Sequence, residues 1–421
     1  MPATRLSPAF HISPFRHALP AVAALCLGAA AAPQPAAAQT HSSGYVQVAV
    51  SAEATCALRH DGQVWCWGGN LSGELGNGSF TDSAVPVQPS NATRGFGTNN
   101  IASIAGHFYN FCALNLAGRA YCWGDNANGS IGDGTRTLRT EPTAVDLLGP
   151  GVKAISVGWR NVCAINRTNR AFCWGWNVFG QLGDGTKTDS WLPTPVSTAT
   201  GGFGVRNIET ISTKMNESCA INRTGRAFCW GANPSGGVGD GTTDERLVPV
   251  HVDTSARGFG VRNIAQITNG TVHACALNGN GRAYCWGANG NGQLGAGIPI
   301  NQNSLVPVPV STGAPGFGRN NIAHIVGAPF GTCALNTNGR AFCWGLNSSG
   351  QLGDGTTTHR IEPVPVAGLG RGVRDIAPGA SHSCAIDAAG EVWCWGRNNR
   401  GQLGDGSTDD SLVPVKVAGL P

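Results

Sequence analysis

The chain has 421 residues, including 62 Gly and 24 Pro, with 12% charged and 41% apolar residues. Glycine at about 15% is roughly twice the usual share, yet Gly and Pro together stay below the ~25–30% at which low-complexity disorder is the better description. This excludes a coiled coil, a collagen and a charged tail, and a net charge of +4 without a clustered basic face does not predict nucleic-acid binding.

Residues 1–38 read as a secretory signal. Arg5 and Arg16 give a basic start, Leu19 to Ala32 an apolar run, and Ala36-Ala37-Ala38 a small-residue cleavage site. The run of about 14 residues falls short of the ~20 needed to span a membrane. Cys26 follows Leu25, where a lipid-attachment motif wants a small residue. Cleavage after Ala38 would remove both arginines and leave a mature chain of net charge +2. Residues 39–44 then form a short linker and 45–421 a seven-repeat domain. The mature protein is expected to be secreted or periplasmic, with no membrane insertion.

Removing Cys26 from the fifteen cysteines leaves fourteen, an even number in an oxidising compartment. They form seven pairs with nine residues between partners: Cys56 with Cys66, Cys112 with Cys122, Cys163 with Cys173, Cys219 with Cys229, Cys275 with Cys285, Cys333 with Cys343 and Cys384 with Cys394. Each second Cys is followed by Trp-Gly, and the first recurs at intervals of 56, 51, 56, 56, 58 and 51 residues. Seven copies at that period mean a propeller or a solenoid.

Within one unit, Cys112–Asn115 reads as a strand, 116–118 as a turn and Arg119–Trp123 as the returning strand. A three-residue hairpin loop needs a left-handed residue third. That place holds Gly in six units and Asn169 in the other, the two residue types that best tolerate positive φ. The register sets Cys112 opposite Cys122 at a non-hydrogen-bonded position, where Cα atoms lie ~4.5 Å apart and a disulfide fits. Zinc would want Cys-x2–4-Cys spacing, so seven intrablade disulfides are expected.

A Gly-rich turn follows, as in Gly180-Gln181-Leu182-Gly183-Asp184-Gly185-Thr186, and then a Pro/Val strand such as Val306–Val310. Proline cannot donate to an interior ladder, so this strand belongs at a blade edge. Four units carry an insertion with Gly-Phe-Gly, placing Phe96, Phe203, Phe259 and Phe317 on loops. Repeat insertions tend to share one face, which makes these four residues candidate partner contacts, set against a bland role in packing.

The series Cys-Ala-Leu, Gly, Cys-Trp-Gly-x-Asn, Gly-Gln-Leu-Gly-Asp-Gly-Thr and Pro-Val resembles the repeat of the regulator of chromosome condensation family over about residues 47–421. The resemblance implies an all-β, seven-bladed propeller of four-stranded blades; the paired cysteines look like a secreted bacterial variant. The first unit starts at Tyr45 with no Pro/Val strand before it, and the last ends in Val413–Val417. The C-terminal strand is therefore expected to join the first blade and close the ring.

Candidate chemistry meets a bland alternative at each point. Asp-Gly-Thr/Ser recurs at Asp133, Asp184, Asp240, Asp354 and Asp405, but Asn77 and Ala296 replace Asp elsewhere and calcium-loop alternation is missing, so turns are expected. Glu53, Glu217 and Asp253 form no glycosidase pair in sequence. His273 and His382 stand two places before the first Cys and read as hydrogen-bonded structural residues. Gly158–Val162 is similar to a Gly-Trp-Arg-His-Thr segment of a light-sensing family member, but occurs once, with Asn161 and Val162 in place of His and Thr. Trp159 and Arg160 remain candidate binding residues, because Trp and Arg dominate binding hot spots.

The expectation is a monomeric, secreted protein-binding scaffold with an unidentified protein partner, without cofactor, metal or enzymatic activity. Two alternatives stand beside it. Guanine-nucleotide exchange on a small GTPase is what the family resemblance suggests, but the secretory signal and oxidised cysteines point to the wrong compartment. A carbohydrate-binding or hydrolytic propeller would need a cluster of acids at one channel mouth.

Overall fold

The computed structural model describes residues 44–149 and 151–421. The signal segment, its cleavage site, Cys26 and linker residues 39–43 lie outside the described residues.

Among the described residues, twenty-eight strands form seven separate four-stranded antiparallel sheets, each drawn from one contiguous repeat. In blade 1 the strands are, from inner to outer, Tyr45–Val50, Ala54–Arg59, Val64–Gly68 and Ser83–Val87. Blade 7 runs through Asp375–Pro378, His382–Ile386, Val392–Gly396 and Ser411–Lys416. The inner strands of all seven blades line one central channel. The Pro/Val strands are outermost and pair on one side only, where a missing N–H costs no ladder bond.

Each hairpin between second and third strands has the expected register. Cys112 pairs with Cys122 and Leu114 with Ala120, around a loop whose Gly118 has φ +74°. Asn169 adopts φ +63° at the one position without Gly. All seven disulfides join the expected partners. Cys56 is bonded to Cys66, Cys112 to Cys122, Cys163 to Cys173 and Cys219 to Cys229. Cys275 is bonded to Cys285, Cys333 to Cys343 and Cys384 to Cys394. In every pair the Cα atoms are 4.0 or 4.1 Å apart and both Cys are buried.

The core lies between blades. Each of seven apolar clusters combines residues from two consecutive blades, and the last joins blade 7 to blade 1. The Trp of each Cys-Trp-Gly is fully buried there, and its indole N–H donates to a carbonyl in the Gly-rich turn of the preceding blade. Trp123 reaches Glu74 at 2.8 Å, Trp286 reaches Gly237 at 2.9 Å, and Trp67 of blade 1 reaches Gln402 of blade 7 at 3.0 Å. Every blade thus makes the same apolar and hydrogen-bonded contact with the one before it.

The C-terminal segment closes the ring, by packing against the first blade rather than by adding a strand to its sheet. The strand Ser411–Lys416 pairs with Val392–Gly396 inside blade 7. Blade 1 has its own outer strand, Ser83–Val87, so its sheet has no vacancy for another. Val417 and Leu420 instead lie with Tyr45, Trp65 and Trp67 in one cluster. Short bonds cross the same seam, from Tyr45 N to Gly390 O (2.9 Å) and from Val48 N to Asp375 Oδ2 (2.8 Å).

Candidate binding face

The up-and-down course of each blade sorts its loops onto two faces. The loop between inner and second strands and the Gly-rich turn between third and outer strands share one, here the upper face. The hairpins and the Gly-Phe-Gly insertions share the lower one.

The upper Gly-rich turns are organised by the buried Asn of Trp-Gly-x-Asn. In blade 2, Asn126 Nδ2 donates to Thr135 O (3.2 Å) while its Oδ1 accepts from Ile131 N (2.9 Å). Asp133 Oδ1 accepts from the Thr135 backbone N–H (3.0 Å) and hydroxyl (2.8 Å), and its other oxygen pairs with Arg139 at 2.6 Å. The Asp-Gly-Thr segments are turns. Burial alone would raise the carboxyls of Asp133, Asp240 and Asp354; hydrogen bonds from Thr and Arg prevail and hold them below the usual range. Among the described residues no group of three or more His, Cys, Asp or Glu could hold a metal ion.

The four insertion phenylalanines are not available to a partner. Phe96, Phe203, Phe259 and Phe317 are buried, each edge-on to aromatics of the blade that follows. Phe96 sits 5.4 Å from Tyr121 and 5.9 Å from Trp123, and Phe317 sits 5.3 Å from Phe342 and 5.7 Å from Trp344. The insertion carries a large apolar side chain into the groove between blades, where it is buried although its backbone lies on a loop.

His273 and His382 are buried, with Nε2 against the hydroxyls of Thr332 (3.0 Å) and Thr55 (2.9 Å) in the next blade. Burial pushes both rings down to about 4. Both are therefore expected to stay neutral until the pH falls to about 4. A side-chain NMR titration checks this, and an ordinary midpoint near 6.5 at either ring would contradict the packing described.

Trp159 and Arg160, by contrast, stand on the upper face at the channel mouth, half-buried. The structure brings them into an aromatic group that crosses blades 2 and 3. Phe108 lies 6.0 Å from Trp159, Trp159 lies 5.6 Å from Trp176, and Trp176 lies 5.5 Å from Phe179. The Arg160 guanidinium stacks 4.5 Å over the Trp159 ring. Tyr109 and Val178, exposed at 36% and 45%, flank the group. Sequence reasoning missed Trp176 and Phe179. A signal was present: at the place of Phe179 the other units carry only Ser, Asn or Arg, so an aromatic there serves no repeat function.

Several polar groups near this mouth have no partner. Trp159 Nε1, Arg160 Nε and both ring nitrogens of His107 are buried without a hydrogen bond. Burial, and secondarily the charge of Lys214, holds the His107 ring well below its ordinary range. Glu217 is buried with Oε2 unpartnered, and burial pushes its carboxyl well above the usual range. It fits because Gly237 stands where other units have Gln, Glu or Ser; a Cβ there would collide with the Glu217 carboxyl.

With this geometry in hand, the relationships of the chain are plain. The RCC1-like domain pattern matches residues 23–366, and regulator of chromosome condensation (RCC1) repeats match residues 373–402 and 389–421. The chain is 28% identical over 326 residues to the ultraviolet-B receptor UVR8 of Arabidopsis thaliana, covering 77% of this chain and 70% of that one. It is 28% identical over 381 residues to the E3 ubiquitin-protein ligase HERC2 of Mus musculus; that match takes in 87% of this chain but spans only 7% of the ligase. The solved structure of yeast RCC1 (Prp20) bound to Kap60 aligns with a TM-score of 0.72 at 19% identity, over 90% of this chain and 84% of that one, a likeness of fold. On the pattern that spans most of its length, and on repeats that appear as seven blades, the chain belongs to the RCC1-like domain family.

Proposed function

We propose that the protein is a regulatory binding propeller that acts outside the cytoplasm and grips another protein with its upper face. The observation that carries this reading is the group formed by Phe108, Trp159, Trp176 and Phe179 with Arg160 stacked on it. Large rigid aromatics and Arg are the residue types that supply most binding energy at protein interfaces. The repeat does not need them, since the staple and core positions are filled by other residues. Relatives give the same direction: yeast RCC1 is bound to Kap60 in its solved structure, and binding of Prp20p to Gsp1p and histones is named with another. The extracytoplasmic site of action rests on the N-terminal segment and on seven buried disulfides, which persist in oxidising compartments. Neither a cofactor nor a reaction of its own is part of this reading.

The test is capture of proteins from envelope and medium fractions on immobilised wild type and on the double variant Trp159→Ala with Trp176→Ala. One protein held in stoichiometric amount by wild type should be lost at least about tenfold by the variant, since two hot-spot truncations each remove about 2 kcal/mol or more. A lower-face control, Leu116→Ala with Leu147→Ala, should retain it. Equal capture by the upper-face variant would sink the assignment.

A further inference from the structure

The upper mouth of the channel carries a cation that the fold does not use. The chain has four lysines. Lys153, Lys187 and Lys416 are each paired with a glutamate, at 3.4, 2.8 and 2.7 Å. Among the described residues Lys214 forms no ion pair and no side-chain hydrogen bond, and it lines the channel at the upper end of the inner strand of blade 4. At this level most other blades carry little or nothing: Ser51, Gly158, Gly270, Ala328 and Gly379. His107 is the other large polar residue there, 4% exposed, with neither ring nitrogen in a well-formed hydrogen bond and the Gly158 backbone beside the ring.

Among the described residues, the one acid lining the channel does not answer this charge. Asp375 opens the inner strand of blade 7, toward the lower face, and accepts the backbone N–H groups of Val48 (2.8 Å) and Ile376 (3.0 Å). The fourth titratable group of the wall, His324, is engaged by Gln266 at 3.0 Å. In the upper loop of the neighbouring blade 3, Trp159 Nε1–H and Arg160 Nε–H are also buried without acceptors. Glu217, opposite Lys214 in the strand register, turns its carboxyl to Gly237 instead of the channel and forms no ion pair with it, so among the described residues Lys214 and the Trp159 and Arg160 N–H groups are not bonded to any acceptor. A buried donor left unpaired costs free energy that an incoming acceptor recovers.

We propose that this mouth is a carboxylate site, in which Lys214, with Arg160 at the rim and His107 beneath, takes an Asp or Glu side chain projecting from the docked protein. The inference rests on the protein-binding reading above and adds the chemistry of the partner: an acidic residue at the tip of a loop narrow enough to enter the channel, flanked by apolar residues that meet Trp159 and Trp176. A carboxylate is preferred over a neutral group because charge-assisted hydrogen bonds are about twice as strong as neutral ones. Burial already holds the Lys214 ammonium down to about 8, so a bound carboxylate has room to raise it.

The experiment needs no identified partner. Lysine side chains labelled with 13C in residues 39–421 give four Cε signals, assigned with Lys214→Met. The probe is an acetylated and amidated Trp-Gly-Asp-Gly-Trp peptide, with its Asp→Asn counterpart and sodium sulfate as comparisons. The expected result is an upward shift of the Lys214 titration midpoint by the Asp peptide alone, and affinity about tenfold lower for the Asn peptide and for Lys214→Met, the loss of one charge-assisted bond. An unmoved Lys214 midpoint at saturating Asp peptide overturns the proposal, as does an equal response to sulfate. Lys214→Met lies on the channel wall, and unchanged circular dichroism and disulfide content keep the comparison fair. Should the Trp159→Ala, Trp176→Ala variant lose the natural partner while Lys214 ignores the peptide, the docking face stands and the carboxylate site falls.

Discussion

Replacing Trp286 by Ala is expected to destabilise the propeller by about 3–5 kcal/mol, as for other buried Trp or Phe truncations. The side chain is fully buried between blades 4 and 5, within a cluster that includes Phe259, Tyr284 and Val238. It also donates to Gly237 O, so truncation strands a carbonyl inside the interface. Trp286→Phe separates the two effects. It keeps most of the packing and loses the bond, and should cost about 1–3 kcal/mol, the penalty of an unsatisfied buried group. Denaturant titration of the two variants beside wild type measures both. Because all seven tryptophans make the equivalent contact, the same pair of substitutions at Trp123 should give values in the same range. A loss below about 1 kcal/mol for Trp286→Ala would show that the interfaces are held by something other than this staple.

The second large effect is expected from the disulfides taken together. Peptide mapping without reductant should recover seven links, each joining a Cys to the one ten positions later, with no thiol in residues 45–421. Closing a loop of this length restricts the unfolded chain by about 2–3 kcal/mol in the entropy model. That is a ceiling per bridge here, because the Gly-turned hairpin already favours the same local geometry. Cys275→Ala together with Cys285→Ala should therefore lower stability modestly without abolishing the fold, whereas Cys275→Ala alone leaves a buried thiol on Cys285. Since the cysteines are 0 or 1% exposed, a thiol reductant added to native protein should leave them intact. Unfolding in reductant should break all seven, and refolding with thiols blocked should then yield a chain with a far lower denaturation midpoint. Links between different blades, such as Cys66 with Cys112 or Cys343 with Cys384, would refute the hairpin register.

Much of this architecture is legible in the sequence because it is repeated. Spacing of the Cys pairs, Gly or Asn169 at the hairpin corner and Pro in the edge strands each follow from a local geometric demand, and seven copies average out accidents. Relations between units are harder to see. Nothing local says that Trp67 bonds to Gln402, or that Phe96 fills a groove made by Tyr121 and Trp123, because the partner lies one blade away. Hence the sequence leaves the insertion phenylalanines between packing against their own blade and contact with a partner, and the fold buries them against the blade that follows. The manner of closure is hidden for a related reason. That the C-terminal segment meets the first blade is readable from the ends of the repeat, but whether it meets it by ladder bonds or by packing depends on contacts between units. The binding group is half legible. Trp159 and Arg160 stand out because they break the repeat, and Trp176 and Phe179 break it in the same way, but only the ring geometry brings them together.

The way the ring closes also sets how it would yield to a pull on its ends. With each sheet complete within one repeat, no ladder bond among the described residues latches the last strand to the first blade. Tension on the termini therefore acts first on the seam between blades 7 and 1, which only side chains and a few short bonds hold, and a terminal blade can peel away whole. The blade would then unravel only in part. Its bridge holds residues ten apart in sequence at 4.0 Å, so that stretch cannot lengthen, which withholds about 30 Å of extension per blade at ~3.3–3.6 Å per residue. The bridges, each of which adds only modestly to stability, thus act as stops under load, giving a chain that opens at one seam and still resists being drawn out.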